Sequence, residues 1–492
     1  MNVLLVYPEF PDTFWSFKHA LAFVGKRSAL PPLGLVTVAA MLPTEWPRRL
    51  VDVNVRKLTD KDLAWADCVF ISAMVVQRES AHRIVDRCKQ AGVRVVAGGP
   101  LFNSEHEQFG TVDHYILNEA ELTLQPFLSD LAQGRARRLY ETADHADLRQ
   151  TPAPQWGLLD LKHYASMSVQ FSRGCPFNCD FCNVTALFGH RVRMKTSAQI
   201  VAELDGLYAA GWRDEVFFVD DNFIGNKAFL KTDLLPALIA WRKGKGRTVF
   251  YTEASINLAD DPELMAMMRE AGFNKVFIGI ETPDEDSLAE CSKLQNRNRN
   301  LVEDVKRIQR AGFQVQGGFI VGFDHDRPSI FQRQIDFIQS SGIVTAMVGM
   351  LQAPPGTRLY ERMKREGRLQ GEGSGDNVDG TTNIRPVMSL EALKEGYKRI
   401  LDHIYAPKPY YQRIRTFLRE YKPPRRHGRF RVSHALAFVR AFYRIGIMSR
   451  GRTHYWRLLF WIQFRRPWLL TEAITLAIQG YHFRKISQRH VA

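Results

Sequence analysis

Short apolar runs separated by segments of helical period fill most of this chain, and that alternation constrains its fold more than any other feature. Between residues 1 and 150 the runs are NVLLVYP, DVNV (52–55), CVFISAMV (68–75) and VRVVAGGP (93–100). SAHRIVDRCKQAG, between the last two, has helical spacing and closes at Gly92. SALPPLGLVTVAAMLPT (28–44) reads as a loop running into a buried helix. Strand–helix–strand order implies a parallel, doubly wound sheet, whose ligands sit in the crevice formed by the loops after the strands. Those loops read SAMVVQ, AGGP and LNEAEL here.

Residues 151–165, with Pro152, Pro154 and Gly157, read as a linker. A second alternating region starts at SMSVQFSRG. Its strand candidates are 167–171, EVFFVDD, VFYTEAS, KVFIGIET, QGGFIVGFD and TAMVGMLQAP, with helical patterns such as SAQIVAELDGLYAAGW and DPELMAMMREAGF between them. Six strands with crossover helices predict an α/β partial (β/α)6 barrel with its active site at the C-terminal strand ends. GEGSGDNVDGTTNIRP (371–386) reads as a flexible boundary, and helices follow it. The expected division is a Rossmann-like domain over 1–150, a partial barrel over 165–370 and a helical, basic extension over 386–492. No uncharged apolar run reaches the ~20 residues of a membrane span. MNVLLVYPEF lacks the basic stretch of a secretory leader, so a cytoplasmic location is expected.

Six cysteines in 492 residues are not a disulfide framework, and three of them cluster in QFSRGCPFNCDFC (170–182): Cys175, Cys179 and Cys182. A structural zinc site takes four protein ligands, usually as two paired knuckles. Cys68, Cys88 and Cys291 are far away in sequence, and His190 is the candidate fourth ligand of a zinc reading. A ferredoxin run has four cysteines at other spacings. Three thiolates can instead hold three corners of a [4Fe–4S] cube and leave one iron open.

The C-x3-C-x2-C spacing after a predicted strand, with Phe181 before the last cysteine, resembles the radical S-adenosylmethionine superfamily. The resemblance implies that Cys175, Cys179 and Cys182 hold the cluster and that the methionyl amine and carboxylate of S-adenosylmethionine chelate the open iron. One-electron reduction, from a donor such as flavodoxin or ferredoxin, then releases a 5′-deoxyadenosyl radical. Asp220, Asp221 and Asn222 in VFFVDDNF, Glu253 in TEAS and Glu281 in GIETP stand at strand ends, where the resemblance places contacts to the amine or the ribose. GGFIVGFD (317–324) resembles the strand beside the adenine. Each carboxylate also has the plainer reading of a helix cap or surface ion pair, and the glycine strand that of close packing.

A doubly wound domain ahead of such a barrel resembles the cobalamin-binding radical S-adenosylmethionine enzymes over about residues 1–400, through PPLGLVTVAAMLP, AGGP, SRGCPFNCDFC and DDNFIGN. FIGIETP, GGFIVGFD and MLQAPPGTRLY look most like the branch containing hopanoid C-2 methylases, which also has a helical C-terminal extension. The resemblance implies cobalamin, with Ser72, Gln77, Gly98 and Gly99 as candidate contacts. It also implies methyl transfer to an unactivated carbon, of a membrane lipid such as a hopanoid. The axial-histidine loop D-x-H-x-x-G of many cobalamin domains is missing, because PEFPDTFWSFKHALAFVG carries His19 at the wrong spacing. A Rossmann-like domain that has lost the cofactor is the alternative. Methylthiotransferases hold a second cluster on three N-terminal cysteines, whereas only Cys68 and Cys88 stand here, in packing positions. A radical cyclase or C–C coupling enzyme is the alternative reaction. A zinc-stabilised membrane or RNA adaptor is the non-catalytic alternative.

The net charge of +15 is confined to the tail. From Leu401 onward there are 19 Lys+Arg against 3 Asp+Glu, and before it 48 against 49. FRVSHALAFVRAFYRIGIMSR places Leu436, Val439 and Phe442 at helical spacing and Arg440 and Arg444 four apart, and HYWRLLFWIQFRRPWLL adds Trp456, Trp461 and Trp468. Basic amphipathic helices bearing Trp suit an anionic membrane surface. Peripheral contact with the inner face of the cytoplasmic membrane is therefore expected. Packing on the barrel and nucleic-acid binding are the alternatives, and no RNA-binding module motif is present.

Overall fold

Val3, Leu4, Leu5 and Val6 are all fully buried, the signature of an interior strand covered on both faces. In the computed structural model, which describes residues 1–245, 248–423 and 432–491, they form β1 (Val3–Tyr7) of a parallel sheet. Its other strands are β2 (Arg48–Asp52), β3 (Cys68–Ser72), β4 (Arg94–Gly98), β5 (His114–Ile116) and β6 (Leu139–Tyr140), in the order β2-β1-β3-β4-β5-β6. The helix Arg78–Gln90 covers one face with Ala81, Ile84, Val85 and Cys88. The helices Leu33–Met41 and Ala120–Ala132 cover the other with Leu35, Ala39, Leu124 and Phe127, against which Cys68 packs. The second strand lies upstream of its expected place. Asp52 Oδ1 accepts from Asn54 N at 2.9 Å and from Asn54 Nδ2 at 2.8 Å, so residues 53–55 turn instead of extending the sheet.

All six strands expected of the second region are present: β7 (Met167–Val169), β10 (Glu215–Phe218), β11 (Val249–Glu253), β12 (Phe273–Glu281), β13 (Gln314–Val321) and β14 (Ala346–Met350). Between β7 and β10 a two-stranded antiparallel pair, β8 (Ser172–Arg173) and β9 (Arg193–Met194), closes the base of the cysteine loop. The six strands are parallel and ordered β14-β13-β12-β11-β10-β7, each beside its sequence neighbour, so the barrel is open with β7 and β14 at its edges.

The glycine-rich segment after residue 370 is irregular, as expected, but it is pinned and not loose. Asn383 donates to Ala353 O and accepts from Ala353 N, both at 2.8 Å, and Tyr397 Oη donates to Val378 O at 2.8 Å. The helices Leu390–Tyr405, Pro407–Glu420, Val432–Ala441, Arg452–Arg465 and Leu470–Val491 follow. Their core is continuous with that of the barrel and reaches the first domain, where Phe14 stacks on Phe483 at 4.3 Å.

Phe430 and Arg431, which begin the first basic–aromatic segment of the tail, lie outside the described residues. Beyond them, the amphipathic expectation is inverted. Arg440 donates to Phe23 O at 2.9 Å and Arg444 stands over the Phe23 ring, while Leu436, Val439, Phe442 and Tyr443 face outward. Trp456 is partly buried and donates to Gly446 O, so it packs, whereas Trp468 is half exposed. Among the described residues no helix is long and apolar enough to cross a membrane.

Candidate active site

The loop 174–192 leaves β8 and returns on β9. Gly174 opens it at φ +90°, where a Cβ would stand 2.7 Å from Arg191 O and 3.0 Å from Gly189 O, so the crossing requires glycine. Cys179 is buried, and Cys175 and Cys182 are half-buried. The three sulfurs do not all lie within 4.8 Å of one another. Thiolates sharing one tetrahedral zinc at about 2.3 Å would stand only about 3.8 Å apart. His190, the fourth ligand of the zinc reading, is exposed.

Two neighbouring aspartates just past the end of β10 have different tasks. Asp220 is fully buried and accepts from Phe171 N at 3.3 Å, from Ser172 N and from Ser172 Oγ at 2.5 Å. It braces the base of the cysteine loop and does not reach the cavity described below, contrary to its expected ligand role. Asp221 accepts from the Gly174 backbone, faces the cavity, and keeps a buried Oδ2 with no partner. Burial pushes its carboxyl up to about 6. Glu253, at the end of β11, also faces the cavity, and burial followed by Asp221 and Asp220 pushes it up to about 8. Asn222 places Nδ2 4.0 Å from Cys175 Sγ, and its Oδ1 accepts from Ser255 N at 3.2 Å.

Glu281 ends β12 at φ +64° and is buried, but its carboxylate pairs with Lys293 Nζ at 2.8 Å and does not face the cavity. Burial works against the Lys293 charge, yet Glu281 and Cys179 raise its pKa. Lys293 also stands 5.9 Å from the centre of the Phe181 ring. From the same loop, Gln295 Nε2 lies 3.7 Å from Cys179 Sγ. Lys293 and Gln295 were not anticipated from the sequence. They sit in no motif and at no strand end, and the only available signal is that their loop follows the helix after β12.

Asp221 and Glu253 open onto a cavity of about 1400 Å³. Its floor is the C-terminal edge of the first sheet, with Ser72, Met74, Gly98, Gly99 and Glu119. Gln170, Asp221, Glu253 and Phe277 supply the barrel side, and Ala437, Phe438, Leu470, Ile474 and Ile478 the C-terminal wall. Gly99 has φ +91°, and a Cβ there would stand 2.5 Å from Ser72 Oγ; at Gly98 it would meet Ile116 O at 2.6 Å. Close packing against the neighbouring strands therefore requires glycine at both positions of the floor. Gln77, by contrast, is buried away from the cavity. It donates to Pro8 O at 2.6 Å and accepts from Met74 N at 2.9 Å, bracing two loops of the floor in place of the expected cofactor contact. His19 does not line the cavity either.

A buried charge network ties floor to cysteine loop. Arg193 donates to Glu119 at 2.6 and 2.8 Å, and Arg173 donates to Glu121 at 2.8 and 3.1 Å, while Thr151 Oγ1 also donates to Glu121 at 2.9 Å. Arg173 and Arg193 are themselves partners across the β8–β9 pair. Both ends of the cysteine loop are therefore held by carboxylates of the first domain.

An open carboxylate beside three thiols at barrel strand ends, above a glycine-floored parallel sheet, defines a radical S-adenosylmethionine enzyme with a corrinoid-binding domain. Family models agree along the chain: B12 binding domain at residues 27–128, Radical SAM superfamily at 169–338 and a domain of unknown function (DUF4070) at 357–492. The chain is 42% identical to an uncharacterized methyltransferase of Synechocystis sp., over 98% of this chain and 91% of that one. It is 34% identical to the hopanoid C-2 methylase of Rhodopseudomonas palustris, over 93% and 88%. The solved structure of the cobalamin-dependent S-adenosylmethionine radical enzyme OxsB with aqua-cobalamin shares the fold, with a TM-score of 0.63 at 14% identity over 100% of this chain and 80% of that one. The chain belongs to the cobalamin-binding radical S-adenosylmethionine family. It is a cobalamin-dependent radical methyltransferase, with a [4Fe–4S] cluster, S-adenosylmethionine and cobalamin as cofactors. Enzymes of this superfamily require an electron donor.

Proposed function

We propose that this enzyme methylates an unactivated carbon of an apolar membrane lipid such as a hopanoid, with Cys175, Cys179 and Cys182 holding the cluster. The observation that carries this reading is the cavity's composition. Its C-terminal wall is aliphatic and aromatic through Phe438, Leu470, Ile474 and Ile478, and it lines the same cavity as Asp221, Glu253 and the glycine floor. A polycyclic hydrocarbon matches such a wall, and the kinship with the hopanoid C-2 methylase of Rhodopseudomonas palustris supports the same class. When bound, the cluster with S-adenosylmethionine supplies a 5′-deoxyadenosyl radical, and cobalamin supplies the methyl group.

The chain's own part is to bind, orient and keep dry. Asp221, with its unpartnered oxygen, suits the methionyl amine, and Glu253 suits the amine or the ribose. Lys293, charged and close to Cys179, offers a cation to the methionyl carboxylate. Ser72, Gly98 and Gly99 form the corrinoid floor. The working division of the chain is 1–150, 165–370 and 386–492. The outward-facing Leu436, Val439, Phe442, Tyr443 and Phe464, among exposed arginines such as Arg457 and Arg465, support docking at an anionic membrane surface where the lipid would be taken.

Anaerobic protein reconstituted with iron, sulfide and cobalamin tests the reading. With reductant, S-adenosylmethionine and extracted membrane lipids, it should yield 5′-deoxyadenosine and a lipid heavier by one methyl group. A lipid changed without that gain would favour a cyclase or C–C coupling reaction. Unchanged methylation by the Cys175→Ala, Cys179→Ala, Cys182→Ala variant would overturn the assignment of the cluster. Equal sedimentation of Leu436→Ser, Val439→Ser, Phe464→Ser and wild-type protein with phosphatidylglycerol vesicles would overturn the docking face.

A further inference from the structure

Away from the three loop cysteines, one further group of side chains that can ligate a metal stands together, with Ser16 Oγ donating to Asp12 Oδ1 at 3.4 Å beside it. Asp12 follows β1, His19 lies on the helix Lys18–Val24, and His482 lies on the C-terminal helix Leu470–Val491. One candidate ligand atom of each lies within 4.8 Å of the other two. His482 is fully buried, and its Nε2 donates to Phe14 O at 2.9 Å. A carbonyl only accepts, so the ring proton sits on Nε2. Nδ1 is left with a free lone pair, buried and without a partner. A backbone carbonyl on the far nitrogen is how metal-bound imidazoles are usually held.

His19 Nε2 is also buried. It stands 2.9 Å from Asp12 Oδ2 yet lacks hydrogen-bond alignment with it. A close approach without alignment is what two ligands aimed at a common point produce. Aromatic packing keeps the surroundings dry, with the Phe17 ring 5.4 Å from that of His482 and Phe14 stacked on Phe483. Arg489 touches Asp12 Oδ2 from the solvent side, with its side chain 55% exposed, and is the group a metal ion would displace outward.

We propose that Asp12, His19 and His482 form a binding site for a first-row divalent cation, zinc matching two imidazoles and a carboxylate best. The ion would staple the C-terminal helix to the first helix of the corrinoid-binding domain. That helix contributes Leu470, Ile474 and Ile478 to the cavity wall, so the ion would hold the wall in place. The role is structural and separate from the corrinoid, since His19 does not face the cavity.

The test uses full-length protein with its cluster assembled, so that the three loop cysteines are occupied. After chelation and desalting, zinc is titrated calorimetrically, and cobalt(II) in a parallel sample reports ligand type by absorption. One equivalent of zinc should bind, and the cobalt spectrum should lack thiolate charge-transfer bands. His19→Gln and His482→Gln should each weaken binding at least tenfold, and Arg489→Gln should tighten it about tenfold without touching the buried core. The melting temperature should rise with zinc in the wild type and in Arg489→Gln only. Zinc bound equally by the double histidine variant, or bound by neither wild type nor Arg489→Gln, would overturn the proposal. Binding by Arg489→Gln alone would also overturn it, since Arg489 would then be the resident cation.

Discussion

Replacing Glu119 with alanine tests whether the first domain holds the cysteine loop. The Glu119 side chain is 2% exposed and that of Arg193 13% exposed, and they meet through two hydrogen bonds of 2.6 and 2.8 Å. Truncating one partner of such a buried pair leaves an uncompensated charge and costs about 3–5 kcal/mol. At about 2–4 °C per kcal/mol for a domain of this size, even the lower figure lowers the melting temperature by roughly 6–12 °C. Replacing both residues with methionine removes the orphaned charge, so Glu119→Met, Arg193→Met should melt well above Glu119→Ala. Thermal unfolding of cofactor-free protein by circular dichroism gives the first readout. The second is the number of 5′-deoxyadenosine molecules released per methyl transferred. That ratio should rise in the double variant, because the cysteine loop keeps its fold but loses its register to the floor. A Glu119→Ala loss below about 1 kcal/mol, or a double variant less stable than the single one, would refute the reasoning.

Gly99→Ala should abolish corrinoid retention, since its Cβ would stand 2.5 Å from Ser72 Oγ at φ +91°, and adding Ser72→Ala should recover only the steric part; equal corrinoid absorbance after desalting would count against the floor. Burial holds Glu253 at about 8 against an ordinary 4.5, so the folded, cofactor-free protein binds its proton more tightly than the unfolded chain. Stability from this group is present below about pH 4.5 and lost as pH rises through 8, so Glu253→Gln should raise the melting temperature at pH 8 and leave it unchanged near pH 4; equal shifts at both would refute this. Gln77→Ala should cost about 1–3 kcal/mol by orphaning Met74 N, while Pro8 O keeps Asn54 Nδ2 at 3.1 Å, and should weaken corrinoid binding without removing any atom that lines the cavity.

β5 (His114–Ile116) and β6 (Leu139–Tyr140) are too short to show an apolar run, but the longer interior strands of both sheets were legible because a parallel strand buried on both faces must be apolar along its length. β2 was not. As an edge strand it opens with Arg48 and Arg49, whose guanidinium groups reach local carbonyls and the Trp65 ring, and this hid the register. The cysteine loop was legible because its ligands are close in sequence. Lys293 and Gln295 reach the same sulfurs through a loop more than a hundred residues downstream, and no local pattern encodes that approach. The pair Asp220–Asp221 shows the boundary clearly. Both lie past Phe218, the last residue of β10, so no strand period assigns their directions, and which one faces the cavity depends on how the cysteine loop crosses above them.

The tail is where composition misled most. A basic excess with helical spacing reads as an arginine face turned to solvent. Here Arg440 caps carbonyls at the end of the helix Lys18–Val24 and Arg444 covers Phe23, so this part of the charge is spent on gripping the first domain. The open barrel explains the need. Its sheet ends at β14, and that edge is covered by the helices Leu390–Tyr405 and Pro407–Glu420, with Tyr405 Oη donating to Ala346 O at 2.5 Å and Arg413 to Val344 O at 3.3 Å. The mouth is then closed by Phe438, Leu470, Ile474 and Ile478 from the later helices. The polar and glycine lining of the cavity thus comes from the two sheets and its aliphatic wall from the C-terminal helices. Under the proposed function, two such enzymes can keep the same cysteine loop and glycine floor and still accept different substrates by changing the tail alone.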